Sequence, residues 1–346
     1  MAIEVLQEFD YQTAFDNLGK NATGPMMFIE PLDWKVRGMP RRMVVIAGFS
    51  GSLKTTYASN LAYNNAVELG YSSCFISLEM EPEEQMLRLA VRHAQHPKFR
   101  KYNFSITVNM VLGNDWSKEE REFMEQVVVP DLQSNPKYGR IHVTGPADFQ
   151  YSITGIEGML LGLESHAAEV GASEFRRSVD ILIVDYVQLL AKYASFASGS
   201  GSDPYRFTGE VFSYLRLLTG AYAKGRGITV VALSQLNRAS YTAAKDRIRN
   251  ARIPGERYDY LFDATSFAES SAIMSDADVA VALYCDDELK QQKKVRIQLL
   301  KNRRGESDEK GFDALAMPEV AYVGDRQNDA VTDDYVGELL GDVLAD

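Results

Sequence analysis

A glycine-rich segment after an apolar run carries the strongest chemical signal in the sequence. Residues 47–56 are AGFSGSLKTT, directly after the strand-like run MVVIA and before a helical pattern. Small residues at a strand-to-helix turn let backbone N–H groups surround a phosphate, and the helix N-terminus adds partial positive charge. In such a P-loop we expect Lys54 to reach the β- and γ-phosphates of ATP and Thr55 to offer its hydroxyl to Mg²⁺. The predicted nucleotide-binding residues are Gly48, Ser50, Gly51, Ser52, Leu53, Lys54, Thr55 and Thr56.

The P-loop departs from its usual pattern at one position. Where G-x-x-x-x-G-K-[ST] has a glycine before the lysine, this chain has Leu53. A leucine held at positive φ would be strained by about 1–2 kcal/mol. Either the loop is shaped differently, therefore, or Gly51 provides part of the turn. A glycine-rich turn that binds no ligand is the alternative interpretation.

Polar side chains follow three other strand-like runs. Glu79 comes after SSCFISL, Asp185 ends DILIVD, and Gln235 follows ITVVALS. In a doubly wound sheet these side chains lie at the edge that holds the phosphates. We expect Asp185 to hold Mg²⁺ through water, Glu79 to orient and deprotonate the attacking water, and Gln235 to contact the γ-phosphate or its water. Acidic residues at strand ends are also common helix caps, which is the alternative.

Alternating strand-like and helical segments predict the architecture that positions these residues. Strand-like runs occupy residues 43–47, 72–78, 140–144, 180–185, 228–233, 278–284 and 295–300, and helical periodicity marks residues 54–69, 81–94, 118–129, 153–170 and 209–224. Strands rich in Val and Ile favour a parallel sheet that is covered on both faces. We predict one α/β domain over residues 25–323, with a mostly parallel twisted sheet flanked by helices on both faces.

Composition excludes several classes of protein. The 346 residues include 37 Lys and Arg against 48 Asp and Glu, and no run approaches the roughly 18 apolar residues that cross a bilayer. The acidity argues against indiscriminate coating of nucleic acid. Cys74 and Cys285 lie in apolar runs, which favours a reducing cytoplasm over a disulfide framework or zinc site. His93 and His96 are spaced i, i+3, but no further ligand completes a metal cage, so packing roles are expected.

Six motifs, in a fixed order, resemble those of the DnaB-type replicative helicases. They are the P-loop at 48–56, SLEM at 77–80, ILIVDYVQLL at 181–190, SQLNR at 234–238, AESSAIMSDADVAVALY at 268–284 and LKNRRG at 300–305. The resemblance covers roughly residues 22–317. It implies a RecA-like P-loop NTPase domain that assembles as a homo-oligomeric ring, usually a hexamer. Such rings use ATP and Mg²⁺ to move 5′ to 3′ along single-stranded DNA during replication.

The resemblance gives roles to the residues of the nucleotide site. Lys54 and Thr55 match the P-loop lysine and Mg²⁺ ligand, Glu79 matches the catalytic glutamate, and Asp185 matches the Walker B aspartate. Gln235 would couple the γ-phosphate to DNA.

The same resemblance implies that two basic residues act on a neighbouring subunit. Lys301 and Arg303 match residues that reach the neighbour's ATP site, with Arg303 as the arginine finger that stabilises charge on the transferred phosphoryl group. A solvated basic turn, including Arg304, is the alternative.

A basic segment is the candidate contact with DNA. Between residues 238 and 257 six cations face two acids, and tyrosines are interleaved. Phosphates attract Lys and Arg, and splayed bases stack on aromatic rings. The segment occupies the place of the family's central-channel loop, and a solvated basic loop is the alternative. The predicted contacts are Arg238, Lys245, Arg247, Arg249 and Arg252, together with Glu269 and Ser271 of AESS, where the family has Arg-Glu-Ser-Gly.

Three segments have weaker signals. Residues 3–18 match the linker helix that packs on an adjacent subunit, and only about 24 residues precede the ATPase domain, as in a phage or mobile-element helicase. Residues 324–346 contain seven acids and one arginine, with apolar residues at helical spacing. This tail could dock a primase, loader or polymerase, or be a solvated terminus. The Gly/Ser-rich residues 195–204 are either a second channel loop or a passive linker.

Three functions fit these patterns. The first is an ATP-driven, ring-forming replicative DNA helicase. The second is a RecA-like recombination or mediator ATPase, which processive unwinding of a forked duplex would distinguish from the first. The third is a nucleotide-gated DNA-binding scaffold in which Leu53 has nearly abolished turnover; the presence of Glu79, Asp185 and Arg303 counts against it.

Overall fold

One sheet of nine strands organises the part of the chain that the computed structural model describes, which is residues 24–150, 152–171, 177–197, 204–267 and 270–325. The strand order is β3-β2-β4-β5-β1-β6-β7-β8-β9. The strands are β1 Met43–Gly48, β2 Ser73–Ser77, β3 Ile141–Thr144, β4 Ile181–Asp185, β5 Thr229–Gln235, β6 Val279–Tyr284, β7 Lys294–Asn302, β8 Asp308–Met317 and β9 Tyr322–Gly324. The first six pair in parallel and the last three are antiparallel. The predicted mostly parallel sheet is confirmed, whereas β8 and β9 were not predicted.

Helices cover both faces of this sheet. They are α1 Glu30–Val36, α2 Lys54–Val67, α3 Pro82–Ala94, α4 Val108–Gly113, α5 Lys118–Phe123, α6 Val129–Ser134, α7 Gly155–Glu169, α8 Val187–Ala197, α9 Pro204–Gly225, α10 Arg238–Asn250, α11 Ser270–Asp276 and α12 Asp287–Gln291. Because successive strand residues point to opposite faces, Ile46 packs with Leu61 of α2, while Val45 packs in a second core with Leu190 of α8 and Leu215 of α9. The central strands are therefore buried on both sides, as their continuous apolar sequences predict.

The register of the parallel strands gathers the candidate nucleotide residues at one edge. Gly48 at the end of β1 pairs with Gln235 at the end of β5, and Ser77 at the end of β2 pairs with Asp185 at the end of β4. The P-loop leaves β1 at this edge, and Glu79 follows β2 by two residues. Residues that are far apart in sequence thus lie together at the carboxyl edge of the parallel strands.

The basic cluster after β7 lies at the opposite edge. Because β7 is antiparallel to β6, Asn302 pairs with Val279, the first residue of β6. The backbone N–H of Asp278 donates to the carbonyl of Met43, the first residue of β1, at 2.8 Å. Gly48 ends the same strand five residues later, about 16 Å away at ~3.3 Å per residue. Arg303 is therefore separated from its own P-loop by the length of β1.

The predicted basic channel loop is wrong in its conformation, because residues 238–250 form helix α10. The Asn237 side chain accepts a hydrogen bond from the backbone N–H of Ser240 at 2.8 Å and so caps the helix. Ala244 and Ile248, four residues apart, are buried in the core beside the sheet. A capped start and this narrow apolar stripe are enough to order a segment whose remaining side chains are mostly polar.

Smaller differences concern the helices. The pattern at residues 118–129 continues through a π-helical turn, Met124–Val128, into α6, and Pro130 there has no N–H with which to bond the preceding turn. Helix α9 begins before the predicted residue 209, and Tyr222–Lys224 leave helical geometry. His93 is fully buried, consistent with its expected packing role. Within the described residues no helix combines the length and hydropathy needed to span a membrane. The predicted linker helix at 3–18 and almost all of the predicted acidic tail lie outside the described residues, as does the middle of the Gly/Ser segment.

Candidate active site

The P-loop takes a tight conformation that depends on two glycines and one strained leucine. A Cβ at Gly48 would lie 2.2 Å from Ser52 Oγ and 2.9 Å from the carbonyl of Leu283, so only glycine fits there. Gly51 has φ +77°, and Leu53 has φ +67° and ψ 23°. Gly51 therefore provides part of the turn, and Leu53 also adopts the positive φ whose cost the sequence predicts. Its side chain is half-buried against the core around α2, which offsets part of that strain.

Lys54 is folded back over its own loop. Its side-chain ammonium donates to the carbonyls of Gly48 at 3.0 Å and Phe49 at 2.9 Å. Burial lowers the pKa of Lys54, and the negative charges of Asp185 and Glu79 oppose that effect. The cation thus lies against its own loop, near enough to the two predicted acids for their charges to raise its pKa.

Thr55 and Asp185, the two residues predicted to hold Mg²⁺, are in direct contact. The Thr55 hydroxyl donates to Asp185 Oδ2 at 2.7 Å. Burial raises the pKa of Asp185 to about 6, although this hydrogen bond lowers it. Asp185 Oδ1 and Ser52 Oγ are buried and have no hydrogen-bond partner among the described residues. A hydroxyl and a carboxylate are hard oxygen ligands, and a nearby cation would favour the ionised carboxylate, so the arrangement fits Mg²⁺ and the phosphates it accompanies.

Glu79 and Gln235 flank this pair from the neighbouring strands. Both side chains are exposed at the carboxyl edge, where a reacting phosphate and its water could be reached. The backbone N–H of Gln235 donates to Gln188 Oε1 at 3.4 Å, and the Gln188 amide donates to Ser234 Oγ at 2.8 Å. Gln188 of α8, which the sequence did not single out, therefore ties the end of β5 to the helix that follows Asp185.

The structure does not bring Lys301 and Arg303 to this site. Arg303 makes a salt bridge from Nη1 to Asp278 Oδ1 at 3.1 Å and donates from Nη2 to the carbonyl of Ser275 at 2.8 Å. Lys301 donates to the carbonyl of Met274, and burial lowers its pKa together with the nearby charge of Arg303. Both cations therefore lie on the far edge of the sheet, against the end of α11.

The predicted DNA contacts divide between two sides of α10. One groove beside the helix is lined by Lys245, Arg249 and Arg257 against Asp246 and Asp286, with two tyrosines. The groove on the other side contains Arg247 against two acids, Asp263 and Glu309. The first groove therefore carries net positive charge and the second net negative charge.

The remaining predicted contacts are not placed in either groove. Arg238 and Arg252 are exposed, at the start of α10 and just after its end. Ser271 lies within α11, and Glu269 lies outside the described residues.

Tyr241 joins α10 to the P-loop, a contact that the sequence did not indicate. The rings of Tyr241 and Phe49 pack edge to face, with centroids 4.7 Å apart. Phe262 approaches the same Phe49 ring at 5.8 Å. An aromatic residue next to the first P-loop glycine was the available signal, but its partner is almost two hundred residues away.

Comparison with known proteins finds similarity to replicative DNA helicases. Residues 160–314 match the model of the DnaB-like helicase C terminal domain. The chain is 27% identical over 270 residues to replicative DNA helicase DnaB of Pasteurella multocida and 25% identical over 266 residues to that of Buchnera aphidicola. Each alignment covers 77% of this chain but 47% of the relative, so the chain spans about half the length of the curated relatives it matches.

Solved structures show the same fold. The ATPase domain of G40P superposes with a TM-score of 0.67 at 18% identity, over 94% of this chain and all of that one. A DnaB-like replicative helicase, studied with its interactions with primase, superposes with a TM-score of 0.63 at 19% identity, over 94% of this chain and 67% of that one. The predicted RecA-like architecture is therefore confirmed.

Proposed function

Because this chain belongs to the DnaB-like helicases, through the C-terminal domain that residues 160–314 match, we propose that it is an ATP-dependent, ring-forming DNA helicase. It would translocate 5′ to 3′ on single-stranded DNA and unwind duplex during replication. The observation that carries the proposal is the hydrogen bond from Thr55 to Asp185 at 2.7 Å, beside Lys54 and Glu79. This group of side chains is what phosphoryl transfer from ATP to water requires.

The proposed reaction assigns one task to each residue at the carboxyl edge. The P-loop backbone and Lys54 hold the β- and γ-phosphates, while Thr55 and Asp185 hold Mg²⁺. When bound, Mg²⁺ neutralises charge that develops on the bridging and γ-oxygens. Glu79 accepts the proton of the attacking water, and Gln235 detects the γ-phosphate. Burial of Lys54 and Asp185 strengthens their electrostatic interactions, because the local dielectric constant is low.

The position of Arg303 supports a ring. The length of β1 separates Arg303 from its own P-loop, so it cannot stabilise charge at the site of its own chain without a large rearrangement. Its guanidinium and the Lys301 ammonium would instead complete the site of the adjacent subunit. We propose a homo-oligomer, a hexamer by analogy with the family, in which each ATP lies between two subunits.

For DNA we propose the positively charged groove beside α10. Lys245, Arg249 and Arg257 would contact phosphates, and the exposed ring of Tyr241 offers a face for stacking a base. Arg238 and Arg252, at the two ends of the helix, would extend the path of the backbone. Glu269 and Ser271 remain predicted contacts from the family motif.

Partners and location are further parts of this proposal. Because one structural neighbour is a replicative helicase that interacts with primase, we propose a primase, loader or polymerase as a partner here. The acidic residues 333–346 would provide the contact, and the host cytoplasm would be the place of action. A phage origin remains a prediction.

The test is steady-state ATP hydrolysis with and without single-stranded DNA, beside Glu79→Gln and Arg303→Ala. We expect DNA to stimulate hydrolysis, both substitutions to abolish the stimulated rate, and the wild type to unwind a forked duplex. Stimulated hydrolysis without unwinding would favour a recombination or mediator ATPase. A wild-type rate equal to that of Glu79→Gln in the presence of DNA would favour a scaffold with little turnover.

A further inference from the structure

Arg303 is held in a fixed orientation by the segment that precedes β6. Nη1 pairs with Asp278 Oδ1 at 3.1 Å, Nη2 donates to the carbonyl of Ser275 at 2.8 Å, and the Arg303 backbone N–H donates to the carbonyl of Asp278 at 2.8 Å. A guanidinium has five N–H donors, so these two side-chain contacts leave others available. The side chain is still 44% exposed. The contacts within its own subunit thus orient Arg303 and still leave some of its N–H donors available for another group.

Asp278 is itself firmly placed. It is 7% exposed, and its Oδ2 accepts from the backbone N–H of Met43 at 2.9 Å and from the guanidinium of Arg216. The remaining oxygen, Oδ1, faces Arg303. A third arginine, Arg42, is close enough for its pKa to respond to the Asp278 charge. One buried carboxylate therefore anchors Arg303 to the first residue of β1.

The last turn of α11 supplies the other half of this arrangement. Carbonyl groups in the final turn of a helix lack partners within the helix and bind cations well. The carbonyl of Met274 accepts from Lys301 and that of Ser275 accepts from Arg303. Both cations that the proposed ring requires in trans are therefore docked on the same turn.

We propose that Asp278 is a positioning residue that presents Arg303 to the ATP site of the adjacent subunit. This inference rests on the proposed ring. An unrestrained arginine loses considerable rotamer freedom when it binds a phosphate. By fixing two guanidinium nitrogens beforehand, Asp278 and the Ser275 carbonyl remove much of that loss and direct the free N–H groups outward. Small errors in such placement cost up to about 100-fold in rate.

The experiment measures retention of ADP with aluminium fluoride, a mimic of the transferred phosphoryl group that counts completed sites without requiring turnover by the ring. In Asp278→Asn the amide oxygen still accepts from Met43, but the charge that holds Arg303 is lost. We expect retention and kcat to fall about 10- to 100-fold, with KM for ATP within about twofold of wild type. Arg216→Lys, which keeps a cation beside Asp278 Oδ2 and leaves the Asp278–Arg303 pair intact, is the matched control and should retain the analogue as the wild type does.

Mixed rings separate positioning from folding. Lys54→Ala subunits lack a working P-loop but keep Arg303 and Asp278. When they are mixed with Asp278→Asn subunits, some sites combine the intact P-loop of an Asp278→Asn subunit with the correctly placed Arg303 of a Lys54→Ala subunit. These mixed sites should retain the analogue. The double variant Asp278→Asn with Arg216→Gln removes both charges of the Asp278–Arg216 ion pair. It should lose retention as Asp278→Asn alone does, and Lys54→Ala subunits should restore it, so an unpaired Arg216 charge is not the cause of the loss.

The outcomes are distinct. Wild-type retention by Asp278→Asn, or a loss that Lys54→Ala subunits do not restore, overturns the positioning role. The reference is Arg303→Ala mixed with Lys54→Ala. If this mixture fails to restore retention, the shared site itself is absent, and the proposed ring fails along with the inference.

Discussion

Tyr241 of α10 packs its ring against Phe49 of the P-loop, with centroids 4.7 Å apart and ring planes at 64°. The Lys245 ammonium lies 4.3 Å from the centroid of the same Tyr241 ring. A phosphate-binding loop and a predicted DNA-contacting cation thus touch one tyrosine. Because Phe49 directly follows Gly48, this contact connects α10 to the first turn of the loop.

Replacing Tyr241 with alanine should weaken ATP binding. An edge-to-face aromatic pair contributes about 0.5–1.5 kcal/mol beyond burial, which corresponds to about a 2- to 10-fold change in affinity. We expect a loss of that size in a fluorescence titration with Mg²⁺ and ATP, because the loop must then be ordered by the nucleotide alone. DNA should also stimulate hydrolysis less, since the contact between α10 and the loop is gone.

Tyr241→Phe is the matched control because it keeps the ring and removes only the hydroxyl. It should bind ATP as the wild type does. A double-mutant cycle with Phe49→Ala should show that the two alanine substitutions are not additive. Additive effects would mean that Tyr241 acts elsewhere than on Phe49.

At residue 53, unlike at most positions, glycine should make the protein more stable than alanine does. Leu53→Gly and Leu53→Ala both lose the packing of leucine, but only glycine adopts φ +67° without strain. Relief of about 1–2 kcal/mol is partly offset by ~0.4–1 kcal/mol of extra entropy in the unfolded chain. Urea unfolding should therefore find Leu53→Gly more stable than Leu53→Ala by about 0.5–1 kcal/mol.

A glycine placed in a regular helix should have the opposite effect. Ala243→Gly, at an exposed position of α10, should lose about 1 kcal/mol. If alanine at residue 53 proves as stable as glycine, the positive φ of the loop is not present in solution.

Much of the fold follows from the periodicity of the sequence. The central strands are continuous apolar runs, and β1 lies between β5 and β6, where both its faces are buried. Strand β8 was not predicted because its first half, DEKGF, is charged and at least partly exposed. Helix α10 was not predicted because only Ala244 and Ile248 mark its inner face.

The residues of the candidate site were predictable only where they directly follow a strand-like run in the sequence. Strand ends provide Glu79, Asp185 and Gln235, and their meeting follows from parallel pairing. An acidic residue at the start of a strand, such as Asp278, does not by itself indicate a partner. Its partners Arg216 and Arg303 are remote in sequence. The pair between Asp278 and Arg303 depends on the antiparallel pairing of β7 with β6, which no local pattern specifies.

Acidification should destabilise the protein through His93. Burial lowers the pKa of His93 to about 4, while its hydrogen bond to Asp131 at 2.8 Å opposes this effect. The unfolded chain, with a pKa near 6.5, therefore binds more protons than the folded chain between about pH 4 and 6.5. The contribution of neutral His93 to the free energy of unfolding is fully present above pH 6.5. It is lost as the pH falls towards 4, and the loss is at most about 3 kcal/mol. His96 and His142 have similarly lowered pKa values and add to the loss.

Thermal unfolding at pH 7.5 and pH 5 checks this effect. His93→Gln should be less stable at pH 7.5 but should lose less stability on acidification than the wild type. Tyr63→Phe removes the hydroxyl that lies 2.8 Å from His93 Nδ1 yet keeps the imidazole, so it should retain the steep acid loss. Equal losses in wild type and His93→Gln would show that other groups dominate.

The two grooves beside α10 predict different salt dependences of DNA binding. Lys245 and Arg249 line the groove with net positive charge, whereas Arg247 shares its groove with Asp263 and Glu309. Each phosphate contact with single-stranded DNA contributes about 0.7 to the slope of log Kobs against log salt. The double variant Lys245→Ala with Arg249→Ala should therefore lower the magnitude of that slope by about 1.4.

Arg247→Ala removes one cation from the same helix, half of the charge that the double variant removes, and is the matched control. Arg247→Ala should change the slope by less than about 0.35, half the value for one phosphate contact. The acids around Arg247 repel DNA phosphates, so we expect no phosphate contact there. Fluorescence anisotropy of a labelled oligonucleotide at several salt concentrations measures both variants. A larger change for Arg247→Ala than for the double variant would place the DNA on the other side of α10, against Tyr260, and would reject the proposed groove.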